Sequence, residues 1–476
     1  MENLKEKTAK GIAWGAVNNG ATQLLNLAFG IVLARQLSTE DYGIVALLTI
    51  FTALAGCIQS AGFSQALANL KPPTRSDYNA VFWFNVVAGF SMYVILFFCA
   101  PLISDFFHQP ALTDMSRVVF LTIPVSALGI VPNAKLWIEL RNQELAVSSI
   151  VALALSGGVG VWLAFHGYGY WSLVWQQLLF VTFSCMLKWG FTRWRPMLTL
   201  DFSPLRRMFG FASKLLLTNI LNVVSQNVQT FIFGKLLPIA SVGQFTQANK
   251  WNTMGHSFIS NTMSQVAQPV LTNVSDERER QERVFRKMLR FTSFVSFPLM
   301  LGLALVAQEF IVITIGAKWE PCVPLLQMLC VGGAFLPLHA LYQNFIISRG
   351  RSDIYLYLVS LQIFLQIVLT LLLAPRGIMA MVAAFALLNV VFTALWHLSL
   401  RRVHPLRTID VIRDTLPFAA VAVVCVAVGY YTTLWAEAYW LRLLLRMVIV
   451  AVTYIGLMKL LHARTLDECI TFITKR

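Results

Sequence analysis

A chain of 476 residues that is 57% hydrophobic, 12% charged and of mean hydropathy +0.67 is not built like a water-soluble domain. Its length has room for about fourteen bilayer-spanning helices with short connections. A net charge of +15 would suggest nucleic acid in a soluble protein, but loops rich in Lys and Arg on one side of a membrane produce the same excess, so no nucleic-acid partner is expected.

The first apolar segment, residues 11–34, is too long for the core of a cleavable signal peptide and no small-x-small site follows it. It reads as an uncleaved first span. Within it Asn19, Thr22, Gln23 and Asn26 recur at i, i+3, i+4 and i+7, one stripe of a helix. An amide facing hydrocarbon costs several kcal/mol, so this stripe must face protein or water. In the loop that follows, Glu40 and Asp41 resemble the acidic pair of a membrane glycosyltransferase. They fit better as N-terminal caps of the second helix.

Further spans are expected at 42–66, 78–101, 116–138, 145–166, 168–190, 210–234, 240–268, 291–315, 323–347, 353–374, 377–400, 413–434 and 440–461. With a cytoplasmic N-terminus, about 27 of the 37 basic residues fall in inside segments, from Lys5, Lys7 and Lys10 through Lys71 to the C-terminal tail. Five fall outside (Arg35, Arg117, Lys235, Lys318, Arg376), and an even number of spans places both termini in the cytoplasm. Two inside loops are longer than the rest. The one at 190–209 separates two halves, and the one at 269–290 carries Ser275 to Arg283 with charges of alternating sign, read as a short solvated helix on the membrane surface.

The halves echo one another. At an offset of 200, Ala34-Arg35-Gln36-Leu37 faces Gly234-Lys235-Leu236-Leu237, and Gly43 faces Gly243. Leu136 to Arg141 similarly faces Asn344 to Arg349. The expected architecture is therefore an all-α integral membrane protein of about 14 transmembrane helices. Two six-helix lobes, 1–200 and 201–405, form a pseudo-twofold repeat, and 406–476 adds two helices and a tail.

The polar residues concentrate in spans seven and eight. Thr218, Asn222, Ser225, Gln226 and Gln229 form one stripe with Lys214 a turn earlier, and Gln247, Lys250, Trp251 and Met254 follow on the next helix, flanked by Asn249 and Asn252. With Asn19, Gln23 and Asn26 of span one and Gln59 of span two, they are expected to line an aqueous cleft. A base inside a membrane costs at least about 2.5 kcal/mol and is a functional candidate by default. Lys250 is the deepest. Lys135 and Lys214 lie near inner ends where they can snorkel, and Arg442 and Arg446 of the last span are candidate anion or lipid contacts. Carboxylates are nearly absent from the spans, Glu139 and Glu309 being read as interfacial. A basic, amide-lined cleft suits an anion such as a phosphate or diphosphate.

No GxxxxGK[ST] motif is present, nor an outer loop long enough for a catalytic domain, so no enzyme and no ATP-driven step are expected. The seven cysteines form no CxxC and the seven histidines no HExxH, so neither metal nor cofactor is expected.

Leu33-Ala34-Arg35-Gln36-Leu37 leading to Asp41-Tyr42-Gly43, Gly62-Phe63-Ser64-Gln65-Ala66, and Gly316-Ala317-Lys318-Trp319 running into Pro324 to Cys330 together resemble the polysaccharide-transporter branch of the multidrug/oligosaccharidyl-lipid/polysaccharide exporter superfamily. The likeness is to flippases of O-antigen, capsule and colanic-acid type and covers nearly the whole chain. It implies alternating-access translocation of an undecaprenyl-diphosphate-linked oligosaccharide across the bacterial inner membrane, with Lys250 and Lys214 handling the anionic part. It also implies a setting shared with a polysaccharide polymerase and a chain-length regulator. Related drug antiporters carry a carboxylate where this chain has Asn18, Asn19, Lys214 and Lys250, which weighs against cation-coupled drug export. The alternatives are a lipid II flippase, a cation-coupled multidrug exporter of the same superfamily and a non-transporting assembly scaffold.

Overall fold

The computed structural model describes residues 2–60, 62–70, 73–199, 201–461, 466 and 468, and the side chains of all of these except 2–10, 12, 16, 68, 69, 211 and 214. Lys71 and the tail from 462, apart from Leu466 and Glu468, lie outside the described residues, as do the side chains of Lys5, Lys7 and Lys10. The described chain is helical throughout. Its helices are α1 (Glu2–Gln36), α2 (Thr39–Ser60), α3 (Phe63–Asn69), α4 (Arg75–Phe107), α5 (Leu112–Val119), α6 (Thr122–Ile138), α7 (Asn142–Phe165), α8 (Trp171–Phe191) and α9 (Ser203–Leu236). They continue as α10 (Ile239–Asn273), α11 (Arg278–Leu305), α12 (Ala307–Ile315), α13 (Cys322–Gly333), α14 (Leu336–Ser348), α15 (Ser352–Leu373), α16 (Ile378–Arg401), α17 (Thr408–Thr432) and α18 (Tyr439–Leu460).

Ten of these helices or helix pairs are long and apolar enough to cross a membrane. An eleventh is α9 if its two parts, bent by 63° between Gly210 and Leu215, count as one. The other long helices, α1, α8 and α10, contain 35, 21 and 35 residues. They have the length to cross but carry polar side chains that dilute their hydropathy. Large apolar side chains stand exposed on the outward faces, among them Phe90, Phe98 and Leu102 of α4 and Val448 and Val452 of α18. Hydrocarbon is the solvent that tolerates such a surface. This is a multi-pass membrane protein.

The chain forms two compact units, Met1–Gly243 and Gln244–Arg476. In the first, α1 packs on α7, α7 on α8, α6 on α4 and α8, and α2 on α9. Small residues make the close approaches, as expected where lipid removes the hydrophobic drive between helices. Gly157 lies against the Phe29 ring, Gly129 against Cys185, and Gly234 against Leu47. The half-way loop at 190–209 is an ordered strap along α4. Trp83 donates its indole N–H to the Met197 carbonyl at 2.7 Å, and the Asn79 amide bonds both Thr199 O (2.7 Å) and Met197 N–H (2.8 Å). Asp77 completes a capping box with Thr74 and receives Arg207 at 2.9 Å. With Trp194, Leu205 and Met208 in the same core as Phe63 and Phe82, the strap carries α9 into this unit.

At one end of this unit the connections α1–α2 and α9–α10 touch. The first is capped as expected, Asp41 accepting from Ser38 N–H and Oγ at 2.8 Å each. A Cβ at Gly43 would collide with the Ile239 carbonyl, and one at Gly243 with the Thr39 carbonyl. The partners are offset by 200 residues in both directions, a reciprocity like that of equivalent surfaces meeting across a twofold axis. Gly243→Val is therefore expected to destabilise the protein by about 1–3 kcal/mol through overpacking. Gly20→Ala, with open space around it, should not. Thermal unfolding in detergent compares the two.

In the second unit α11 packs on α17, α13 on α16, α15 on α16 and α17 on α18. Ser296 of α11 donates to Ala334 O at 2.7 Å, and Gly332 lies against the Ala386 backbone. The charged segment expected as a separate surface helix is instead the first turns of α11, which runs unbroken from Arg278 to Leu305. No Gly or Pro separates Arg283 from Phe291, and carboxylates of α17 hold the basic turns, Arg286 meeting Asp414 at 2.6 Å and Arg290 meeting it at 3.6 Å. The apolar stretch then breaks at Val306, ahead of α12.

Candidate functional site

The polar stripe of α1 is set by how that helix packs. Gly11 and Phe29, 18 residues or five turns apart and so on one face, contact Asn142 and Gly157 of α7. Asn19, Gln23 and Asn26 stand about a quarter turn round from that face and are exposed. Thr22, between them, returns its hydroxyl to the Asn18 carbonyl at 2.6 Å. On α9, Gln226 is exposed and Gln229 is buried, while Thr218 and Asn222 are half-buried and have partners. The backbone of Lys214 continues α9, and its side chain lies outside the described ones.

Gln59, expected on the same open surface, lies inside the first unit. Its Oε1 accepts from Ser126 Oγ at 3.2 Å, and its amide lies against Gly89 of α4, where the missing side chain leaves room. It joins α2 to α4 and α6. Lys135, near the end of α6, approaches Glu139 at 3.7 Å, and Arg141 reaches the same carboxylate at 3.8 Å.

The second unit holds the remaining candidates on α10. Gln247 is buried, and neither of its amide atoms has a hydrogen-bond partner among the described residues. Trp251 packs edge-on against Phe310 of α12 with centroids 4.8 Å apart, and Asn252 abuts the bare backbone of Gly333 in α13. Lys250 lies between these anchors, about three turns from the start of the helix and half-buried. It makes no hydrogen bond or ion pair among the described residues. The row Asn252, His256 and Ser260, at i, i+4 and i+8, also carries buried polar atoms without partners. Its spacing was legible in the sequence, but His256 and Ser260 were not singled out.

Arg442 and Arg446 have a different setting from Lys250. Glu309, expected at the interface, is fully buried in the second unit, where α12 packs on α18. Its carboxylate takes Arg446 Nη1 at 2.8 and 2.9 Å and lies 3.6 Å from Arg442. Arg446 also donates from Nε to Thr433 Oγ1 at 3.1 Å and from Nη1 to Leu305 O at 3.0 Å. Sequence reasoning missed this cluster, since 137 residues separate Glu309 from Arg446 and no local pattern joins them.

Among the described residues no three His, Cys, Asp or Glu side chains are grouped to hold a metal ion, and six cysteines are free. What remains is amides on α1 and α9 and one uncompensated ammonium on α10. Amides hydrogen-bond hydroxyls and an ammonium binds an anion.

Among solved structures, the chain is similar to the lipid II flippase MurJ in an inward closed conformation. The TM-score is 0.77 at 13% identity, covering 94% of this chain and 99% of that one. An inward-facing multidrug resistance transporter of the MATE family in the MOP superfamily matches at a TM-score of 0.63 and 16% identity, covering 86% and 96%. The chain shares its fold with these two proteins. In sequence, the lipopolysaccharide biosynthesis protein WzxC of Escherichia coli (strain K12) is 23% identical over 362 residues, 74% of this chain and 72% of that protein. The succinoglycan biosynthesis transport protein ExoT of Rhizobium meliloti (strain 1021) is 24% identical over 336 residues, 70% and 67% of the two chains. The model of the family described as "Polysaccharide biosynthesis protein" matches residues 32–324, more than half of the chain, and the chain belongs to that family.

Proposed function

We propose that this chain is a flippase that moves lipid-linked oligosaccharide repeat units across the bacterial inner membrane for surface polysaccharide synthesis. Fourteen spans, made by the ten apolar helices or helix pairs together with α1, α8, α9 and α10, put both termini in the cytoplasm. Two six-helix lobes, 1–200 and 201–405, alternate access about a pseudo-twofold axis, and 406–476 adds the last two helices. The reciprocal contact of Gly43 and Gly243 supports that axis.

The observation that carries this reading is Lys250. It is a cation on a membrane helix of a polysaccharide biosynthesis protein, and no carboxylate neutralises it among the described residues. A diphosphate linker supplies the missing charge for as long as the substrate is bound. Asn19, Gln23, Asn26 and Gln226 are exposed where bare hydrocarbon would be costly. They offer hydrogen bonds to sugar hydroxyls, and the proposed site also takes in Lys214, Asn222, Gln229 and Gln247. The chain acts as a transporter and not as an enzyme, alongside a polysaccharide polymerase and a chain-length regulator.

Moving one negative charge outward gains about 2.3 kcal/mol per 100 mV of inside-negative potential. The potential, or consumption of the product outside, gives the direction without ATP. Deletion of the gene tests the reading. Lipid extracts of the deleted strain are expected to accumulate a lipid-linked oligosaccharide that clears on complementation. A deletion that leaves those lipids unchanged and alters drug sensitivity would replace this function with small-molecule export.

A further inference from the structure

The two arginines of α18 divide one carboxylate unequally. Arg446 is buried and takes both oxygens of Glu309, together with Thr433 Oγ1 and Leu305 O. Arg442, one turn away on the same face, reaches Glu309 only at 3.6 Å and donates its Nε to Ala436 O at 2.8 Å. Two guanidinium groups against one carboxylate leave one positive charge over. Glu437, in the connecting turn, is exposed and forms no ion pair with either arginine.

The surplus charge belongs to Arg442, whose side chain retains 22% of its exposure while that of Arg446 retains 6%. Around it the α17–α18 connection carries a belt of exposed aromatic rings. Tyr431, Trp435 and Trp440 are 71%, 70% and 61% exposed, and the Arg442 guanidinium lies 6.0 Å from the Tyr439 ring centroid. Exposed Trp and Tyr on a membrane protein collect at the level of the lipid headgroups. Arg442 therefore sits at the level where lipid phosphates are abundant. Its guanidinium presents further N–H donors in a planar fork that matches a phosphate.

We propose that Arg442 binds the phosphate of a membrane lipid at this end of the second unit, with Trp435, Tyr439 and Trp440 flanking the headgroup and Glu309 and Arg446 fixing the guanidinium from behind. The phosphate comes either from an anionic phospholipid of the bilayer or from a polyprenyl diphosphate. The site does not depend on the flippase reading, because any lipid phosphate fills it.

Native mass spectrometry of the full chain in detergent tests it, with phosphatidylglycerol, diacylglycerol of the same tails and polyprenyl diphosphate each titrated in. Wild type is expected to retain a phosphate-bearing lipid at concentrations where diacylglycerol washes off, and Arg442→Gln to lose that retention. Arg442→Lys keeps the cation near Glu309 without the planar fork. It is expected to retain the lipid severalfold less well, and it serves as the test variant if Arg442→Gln does not fold. Arg442-dependent retention of phosphatidylglycerol identifies the bilayer as the source, and retention of the diphosphate alone identifies a polyprenyl carrier. Retention by the Arg442 variants equal to wild type, or of diacylglycerol equal to phosphatidylglycerol, overturns the proposal.

Discussion

Lys250→Gln, at matched protein level, is expected to cut oligosaccharide export at least tenfold while leaving the protein as stable as wild type or more so. The two effects have opposite signs for one physical reason. Lys250 has no structural partner among the described residues, so its desolvation is an uncompensated cost in the folded state. Removing the charge relieves that cost. Transport suffers because two unit charges about 4 Å apart attract by about 4 kcal/mol at an effective dielectric of 20, and a third of that is already a factor of ten in affinity. Lys250→Arg keeps the charge and is expected to retain much of the activity. The check is the accumulated lipid-linked oligosaccharide in a deleted strain carrying each variant, read beside the melting temperature of the purified protein. A Lys250→Gln protein that clears the lipid like wild type would remove Lys250 from the site.

Glu309→Ala is expected to have the largest effect on folding. It leaves the Arg446 guanidinium buried against Leu305 O and Thr433 Oγ1 with no counter-charge. Breaking a buried pair from one side costs about 3–5 kcal/mol. Replacing both partners by apolar residues of similar size, Glu309→Leu with Arg446→Met, is expected to recover most of that loss, because the fully buried guanidinium is no longer left without a counter-charge. Thermal unfolding of the two single variants and the double variant forms the cycle. Losses that simply add would mean that the carboxylate and the guanidinium do not act as a pair. The pair also joins α12 to α18, so the single variants should loosen the last helix before the rest of the second unit.

Much of the fold was legible because membrane helices are constrained by so few rules. Each expected span overlaps a helix or two consecutive helices, including α1 and α10, whose polar stripes lower their hydropathy. The capping role of Asp41 followed from its place at the start of the second helix, where carboxylates are favoured. Contacts between distant helices were not legible. Gln59 looked like a cleft residue until Ser126 and Gly89 closed around it, and Glu309 looked interfacial until Arg446 was found beside it. The charged run after Ser275 was read as a separate surface helix because its charges alternate in sign, a change of composition from the apolar stretch that follows. Composition changes do not break a helix, and the sequence there contains no residue that does.

The half-way loop shows the same division. Its position was plain from its length between two apolar spans, but its docking on Asn79 and Trp83 depends on residues more than a hundred positions away. Polar residue types therefore supplied the candidate residues. Their sorting into packed and exposed ones required the helices in place.

The central claim is translocation, and reconstituted vesicles test it most directly. The purified chain is placed in vesicles loaded with a lipid-linked oligosaccharide, and the sugar exposed on the far leaflet is followed with a membrane-impermeant glycosidase under an imposed potential. The account predicts that the accessible fraction rises well above that of protein-free vesicles, faster with the starting side negative, and that Lys250→Gln abolishes the rise. An accessible fraction no larger than in protein-free vesicles, with folded protein present, would contradict it.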